Sequence, residues 1–205
     1  MELISNLEKI FSFVVPLIFA ITSHEVAHGY FANLFGDSTA KKLGRLTLNP
    51  IPHGAFSFGY AKPVPVKFNN LFRPKLHMIY VALAGPLANF IQAIFWSLIY
   101  VTLEILYPTE PSLFNEICSF GILINILLFV INLFPLPPLD GGRILLGLLP
   151  RNLSEIFSKI EPYGFIFFIL FFFAGLLNEF WIEPLMNLTY KLLNLFTYPI
   201  TFILN

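Results

Sequence analysis

Two histidines and a glutamate stand close together in the stretch AITSHEVAHGYF, residues 20–31. On a helix, His24 and His28 are four positions apart and therefore share one face. Two imidazoles on one face can hold a metal ion, and Glu25 is placed for general acid/base work on a water molecule. Zinc suits a mixture of imidazole and carboxylate ligands, and a catalytic zinc site needs three protein ligands. A third ligand is therefore expected elsewhere in the chain.

The residues around this motif are strongly apolar. The chain is 57% hydrophobic and 12% charged, with a mean hydropathy of +0.76, whereas soluble domains contain about a quarter charged residues. This composition indicates an integral membrane protein. The same histidine pattern arises by chance on the surface of soluble helices, but ionisable residues inside a membrane span are costly and usually functional. Basic and acidic residues balance, and we expect no nucleic-acid partner.

Long apolar runs predict an all-α integral membrane protein with about four transmembrane helices, since a span needs about 20 apolar residues. The predicted core spans and further helices lie at about 10–34, 76–107, 117–149, 163–178 and 181–204. The last helix is amphipathic and either lies in the membrane interface or spans; the interface is favoured. We treat residues 1–205 as a single polytopic domain.

A short extended, β-like segment at the membrane surface is predicted near residues 55–70. It contains GYAKPVPVKF, in which prolines permit an edge strand but no central strand. The loop that contains it is rich in basic residues, which are Lys41, Lys42, Arg45, Lys62, Lys67, Arg73 and Lys75. The loop after the second span has none. The distribution of positive charge therefore places the first and third loops in the cytoplasm, so the first and third spans run parallel.

Asp140, in NLFPLPPLDGGRIL, is the predicted third ligand. The prolines before it end regular helix, and irregular backbone at membrane depth is tolerated only in a protein interior or beside a wet cavity. The alternative is that Asp140 caps the following helix, 141–149. The orientation favours the ligand, because the two histidines and Asp140 all lie toward the cytoplasmic ends of parallel spans.

Three motifs together resemble one protein family. HEVAH, then ALAGPLANF, then NLFPLPPLDGG are similar to motifs of the site-2 protease family of intramembrane zinc metalloproteases, and GYAKPVPV resembles its small bacterial and archaeal members. The resemblance implies one zinc ion held by His24, His28 and Asp140, with Glu25 as the catalytic acid/base. It implies a multi-pass protein of a prokaryotic cell (inner) membrane that cleaves transmembrane substrates in or near the lipid bilayer, with the active site toward the cytoplasm.

Further residues are weaker candidates. Asn132 is predicted either to hydrogen-bond substrate or the developing oxyanion, or to tie helices together. Tyr60, Lys62 and Pro63 are predicted to hold an unwound substrate against the extended segment. Asn89 is expected to be structural, and Arg143 is expected to anchor its helix at the lipid headgroups.

One stretch departs from the family pattern. Only GAFSF stands between NPIPH and GYAKPVPV, where relatives are expected to have a longer apolar stretch. The 51–59 region is thus shortened, and the sequence does not indicate how substrate access is controlled. His53, in the same region, is expected to be an ordinary polar loop residue.

Two alternative functions use the same residues. A membrane zinc transporter would need polar ligands along a pathway and often has repeated halves, whereas the ligands here are predicted at one depth and the halves differ. A non-catalytic scaffold derived from a protease would not need Glu25. The substrate, its cleavage site and the oligomeric state do not follow from the sequence.

Overall fold

The structure is a computed structural model, and it describes residues 2–51, 63–108 and 112–204. These ranges are helical and contain no β-strand. The helices are α1 (Glu2–Leu34), α2 (Thr39–Lys42), α3 (Pro74–Leu106), α4 (Leu113–Asn132), α5 (Asp140–Leu148), α6 (Arg151–Ser158), α7 (Glu161–Phe173) and α8 (Glu183–Leu204). A 3-10 turn, Phe68–Asn70, precedes α3, and a π-helical turn, Asn178–Ile182, leads into α8.

Three helices are long and apolar enough to cross a membrane: the Leu7–Leu34 part of α1, α3 and α4. A fourth crossing is possible if α6 and α7, which meet at a bend of 69°, form one broken span. The all-α membrane fold is therefore confirmed, and three or four spans among the described helices meet the length and hydropathy of a membrane crossing. The interfacial or spanning position of α8 stays a prediction.

The three long helices pack directly on one another, and α8 lies against α3. Small residues permit the close approach: Ala20, Ala32 and Ala93 are fully buried. Leu193 of α8 completes a buried cluster with Ala93 and residues of α4. Close contact through small side chains is the usual way in which helices associate in lipid, where no hydrophobic driving force acts between them.

The predicted core region 117–149 consists of two helices rather than one. Helix α4 ends at Asn132 and α5 begins at Asp140. The proline-rich link leaves backbone carbonyls without helical partners, which is costly at membrane depth. The indole Nε1 of Trp181 donates a hydrogen bond of 2.8 Å to the Val130 carbonyl near this break. The break is thus accommodated by a side chain from the turn before α8.

The extended segment predicted near 55–70 is described from residue 63 onward. Residues 63–67 have no regular secondary structure, the backbone of Lys67 is extended, and the 3-10 turn follows. The extended conformation of the rest of this segment stays a prediction. The predictions for His53, Tyr60 and Lys62, and for the shortened 51–59 region apart from Ile51, concern residues outside the described ranges. Pro63 is therefore the one predicted substrate contact of this segment whose position is known.

Asp37 fixes this segment to the end of α1. Its side chain is fully buried. One carboxylate oxygen accepts hydrogen bonds from the Thr39 hydroxyl at 2.5 Å and the Asn70 amide at 2.9 Å, and the other accepts the Lys67 backbone N–H at 2.7 Å. Gly36, with φ of 114°, turns the chain immediately before it. A single carboxylate therefore joins α1, the extended segment and the turn before α3.

We expect Asp37→Asn to lower the melting temperature in detergent, because an amide group would face the Lys67 N–H, donor against donor. A buried polar group left unsatisfied costs about 1–3 kcal/mol. Burial raises the pKa of Asp37, but the hydrogen bonds from Thr39, Asn70 and Lys67 outweigh it, so its pKa is below the usual value. The stabilisation is therefore present above the unfolded pKa of about 4 and is lost as the pH falls through the lower folded value.

The measurement is the difference in melting temperature between wild type and Asp37→Asn across this pH range. The difference should shrink as the pH falls below about 4. Glu155→Gln, which changes an exposed carboxylate of α6, serves as the control and should show little difference at any pH. A pH-independent difference for Asp37→Asn would contradict the ionised clamp.

Candidate metal centre

His24, His28 and Asp140 meet at one buried point. The two Nε2 atoms are 3.0 Å apart, and each lies 3.2 Å from Oδ2 of Asp140. The three residues are 8%, 8% and 5% exposed. Four ligands at about 2.0–2.1 Å from a tetrahedral zinc ion are about 3.3–3.4 Å from one another. The three atoms thus have the spacing of one face of such a tetrahedron.

Both imidazoles have their second nitrogen engaged. Nδ1 of His24 lies 2.5 Å from Oδ1 of Asn89, and Nδ1 of His28 lies 2.7 Å from the Val81 carbonyl oxygen. Because both partners are acceptors, each Nδ1 carries the proton and each Nε2 presents a lone pair. Oδ2 of Asp140 has no hydrogen-bond donor among the described residues. Three lone pairs therefore converge without a proton between them, which is the arrangement that a cation relieves.

Asn89 is itself held in one orientation by α1 and α4. Its Nδ2 donates to the Ala20 carbonyl at 3.1 Å and to Oδ1 of Asn125 at 2.9 Å, and Asn125 donates to the Gly121 carbonyl at 2.9 Å. Its Oδ1 is thereby left to face His24. Asn89 and Asn125 are both fully buried. Asn89 is therefore more than the structural residue that the sequence predicts, because it also contacts His24. The sequence signal for this contact is the presence of two lone amide side chains, Asn89 and Asn125, within apolar spans.

Gly85 brings α3 against the histidine face of α1. A Cβ atom at this position would lie 2.6 Å from Nε2 of His24 and would also overlap Nε2 of His28. No side chain larger than hydrogen fits without displacing the imidazoles. The glycine of ALAGPLANF is therefore required by the closeness of α3 to the metal ligands, not by a special backbone angle.

The break between α4 and α5 delivers Asp140. Asp140 is the first residue of α5, after an N-cap at Leu139, and no side-chain capping bond is formed there. The structure therefore does not support the alternative in which Asp140 caps the helix. Gly141 and Gly142 pack so closely on the preceding link that a Cβ atom on either would overlap its backbone. The tight turn aims the carboxylate back toward α1.

A cavity of about 210 Å³ opens beside the three ligands. Its lining includes the three ligands, Glu25, Pro63, Val64, Phe68, Asn132 and Arg143. Oε2 of Glu25 accepts a hydrogen bond of 2.6 Å from the Val64 backbone N–H. Nδ2 of Asn132 donates to the Leu128 carbonyl of its own helix at 2.9 Å. The structure thus brings the predicted ligands, Glu25, Asn132 and Pro63 to one cavity.

Comparisons with known proteins relate the chain to one family of peptidases. The profile of peptidase family M50 matches residues 109–175. The Bacillus subtilis protein "Putative zinc metalloprotease YwhC" is 39% identical over 188 residues, which are 85% of each chain. "Zinc metalloprotease MJ0392" of Methanocaldococcus jannaschii is 28% identical over 186 residues, covering 90% of this chain and 46% of that protein. No solved structure matches the chain.

The fold and the centre define a multi-pass membrane protein with a buried triad of two histidines and an aspartate whose spacing can accommodate a metal ion. The chain belongs to peptidase family M50, the site-2 protease family. The resemblance of its three sequence motifs to this family is thereby confirmed.

We expect Gly85→Ala to prevent metal binding, because the added methyl group would overlap the ligand nitrogens of both histidines. Bound Zn²⁺ per protein, measured by elemental analysis after purification in detergent, tests this. Gly175→Ala is the control, since a Cβ there meets no atom within 4 Å and only a local backbone cost at its φ of 75° is expected, so metal content should be unchanged. Full zinc content in Gly85→Ala would show that α3 does not approach the ligands as described.

We expect Asn89→Leu to weaken Zn²⁺ binding about 10- to 100-fold, the usual effect of losing a hydrogen bond that orients a ligand histidine. Competition with a chromophoric chelator measures the affinity. Asn132→Leu removes the same amide from a position that does not contact the ligands' Nδ1 atoms, and its zinc affinity should equal that of wild type. Equal affinities for the two variants would refute an orienting role for Asn89.

Proposed function

We propose that this chain is an intramembrane zinc metalloprotease that hydrolyses peptide bonds of transmembrane proteins within or near the bilayer. The observation that carries the proposal is the triad of converging ligand atoms, with Glu25 in the same cavity, among helices apolar enough to span a membrane. Relatives named as zinc metalloproteases support zinc as the metal. We further propose residues 1–205 as one domain in a prokaryotic cell membrane, with the cavity toward the cytoplasm.

His24, His28 and Asp140 would hold the zinc ion. When bound, zinc supplies Lewis acidity, which polarises a peptide carbonyl and makes water acidic enough to react near neutral pH. The hydrogen bonds from Nδ1 of the two histidines keep both Nε2 lone pairs directed at the same point. The protein thus contributes a ligand set that is arranged before the metal arrives.

Glu25 is proposed as the general acid/base. The Val64 N–H fixes one carboxylate oxygen at 2.6 Å and leaves the other free to take a proton from the attacking water. The same carboxyl group then delivers the proton to the departing amine. Asn132, on the cavity wall, has an amide group that can hydrogen-bond the substrate backbone, and Pro63 borders the space that substrate would enter.

The extended segment limits how substrate can pair with it. Pro63 and Pro65 have no N–H, while the N–H groups of Val64 and Lys67 are used by Glu25 and Asp37. Within residues 63–67, only the Val66 N–H has no hydrogen bond to a described residue. A substrate strand beside this segment would therefore bind mainly through the segment's carbonyl oxygens.

Glu25→Gln tests the proposal. The variant should retain zinc, because Glu25 is not a ligand, and should cleave single-span substrates about 10²- to 10⁴-fold more slowly, the usual contribution of a general base. His24→Ala should lose both zinc and cleavage, and Glu155→Gln should lose neither. The measurements are zinc content and product formation in detergent or vesicles.

The possible results separate the candidate functions. Cleavage by wild type alone, with zinc in both wild type and Glu25→Gln, supports the protease. Zinc uptake into vesicles without cleavage would instead indicate a transporter. Zinc binding with neither uptake nor cleavage of any substrate would indicate a scaffold.

A further inference from the structure

Arg143 projects into the metal cavity from α5, one helical turn after Asp140. Its guanidinium carbon lies 5.6 Å from the ring centroid of Phe68, in a cation–π contact. Within the part of the chain that the structure describes, the guanidinium makes no hydrogen bond, and the ion pairs found there are those of Asp140 with the two histidines. Arg143 thus presents to the cavity donors that no described residue uses, while its expected role at the lipid headgroups stays a prediction.

The other charged groups of the cavity leave the positive charge of Arg143 without a counter-charge. Its two carboxylates are already engaged: Asp140 faces the histidines, and Glu25 accepts the Val64 N–H. Together they balance the charge of a bound divalent zinc ion, so the guanidinium is the charge that nothing in the cavity compensates. Arg143 is half-buried, so water can solvate its charge while the cavity is empty. A substrate that fills the cavity displaces this water, and an anionic group on that substrate offsets the cost of leaving the charge unpaired.

We propose that Arg143 is a substrate-binding residue that takes the carboxylate of an aspartate or glutamate close to the cleaved bond. The proposal rests on the proposed function. The planar guanidinium can bind a carboxylate through two parallel hydrogen bonds, and the Phe68 ring restricts the orientation of that plane. A peptide carbonyl would supply a hydrogen-bond acceptor but would leave the charge unbalanced. Arg143 would therefore select substrates with an acidic residue at one position.

The test uses a single-span substrate whose residues around the cleaved bond are neutral. Asp or Asn is introduced at each flanking position in turn, and kcat/KM is measured for each pair. Wild type should prefer Asp to Asn by about tenfold at one position, mainly through KM, as for a charge-assisted hydrogen bond. In Arg143→Gln the ratio should fall to about one, and Arg143→Lys should keep part of it because it retains the charge without the fork.

Arg151→Gln, a change at an exposed position of α6, is the matched control and should keep the wild-type ratio. A ratio of one at every position in wild type would overturn the proposal. So would a preference that persists in Arg143→Gln, or an equal loss by Arg143→Gln on all substrates, which would point to carbonyl or lipid-phosphate binding instead. Zinc content of each variant reports whether the fold is intact.

A second measurement separates this proposal from the proposed function. Fluorescent Asp and Asn substrates are bound to zinc-loaded Glu25→Gln and to the Glu25→Gln, Arg143→Gln double variant, so that affinity is measured without turnover. If the ratio of the Kd values for the Asp and Asn substrates depends on Arg143 but wild type cleaves neither, the carboxylate-binding site is supported and the protease function is contradicted. If wild type cleaves but the Kd values for both substrates are equal, the protease function is supported and the carboxylate-binding role of Arg143 is contradicted.

Discussion

The convergence of three lone pairs on one buried point is the constraint on which the rest of the structure depends. Two come from α1 and the third from the start of α5. Because such groups repel one another in the absence of a cation, each needs a contact on the side away from the metal position to hold it in place. Asn89 and the Val81 carbonyl hold the imidazoles, and the tight glycine turn holds the carboxylate. Helix α3 can do this only because Gly85 allows it to lie against the ligands.

Two acidic residues, Glu25 of α1 and Asp37 just after it, impose a second set of constraints because both bind the extended segment. Glu25 and Asp37 accept N–H groups near opposite ends of residues 63–67. The segment is consequently aligned with α1 by side chains rather than by strand pairing. Its position determines one wall of the cavity and the orientation of the proposed acid/base, so the shape of the site depends on a piece of chain with no regular secondary structure of its own.

Much of the fold and ligand set could be predicted from sequence, because the signals are local. Apolar length gives the spans, and the spacing of His24 and His28 gives the shared face. Asp140 follows from a helix break that lipid would not tolerate elsewhere. The residues that hold the site in place from outside the ligand set could not be predicted, since these partners of Asn89, Glu25 and Asp37 are between 30 and 69 residues away in the chain. Likewise, only the packing of the helices reveals that Arg143 forms no ion pair with a carboxylate of the described residues, since Glu25 and Asp140 lie in the same cavity but have other partners.

The amide chain from Gly121 through Asn125 and Asn89 to His24 joins three helices that are separate in sequence. A shift of one helix by a single residue, about 1.5 Å along its axis, would break at least one of its hydrogen bonds. The arrangement of the three converging atoms therefore forms only once α1, α3 and α4 have assembled in the correct register. A chain that has inserted its helices but not yet packed them has no preformed place for a metal ion, so the proposed proteolysis would begin only after membrane assembly is complete.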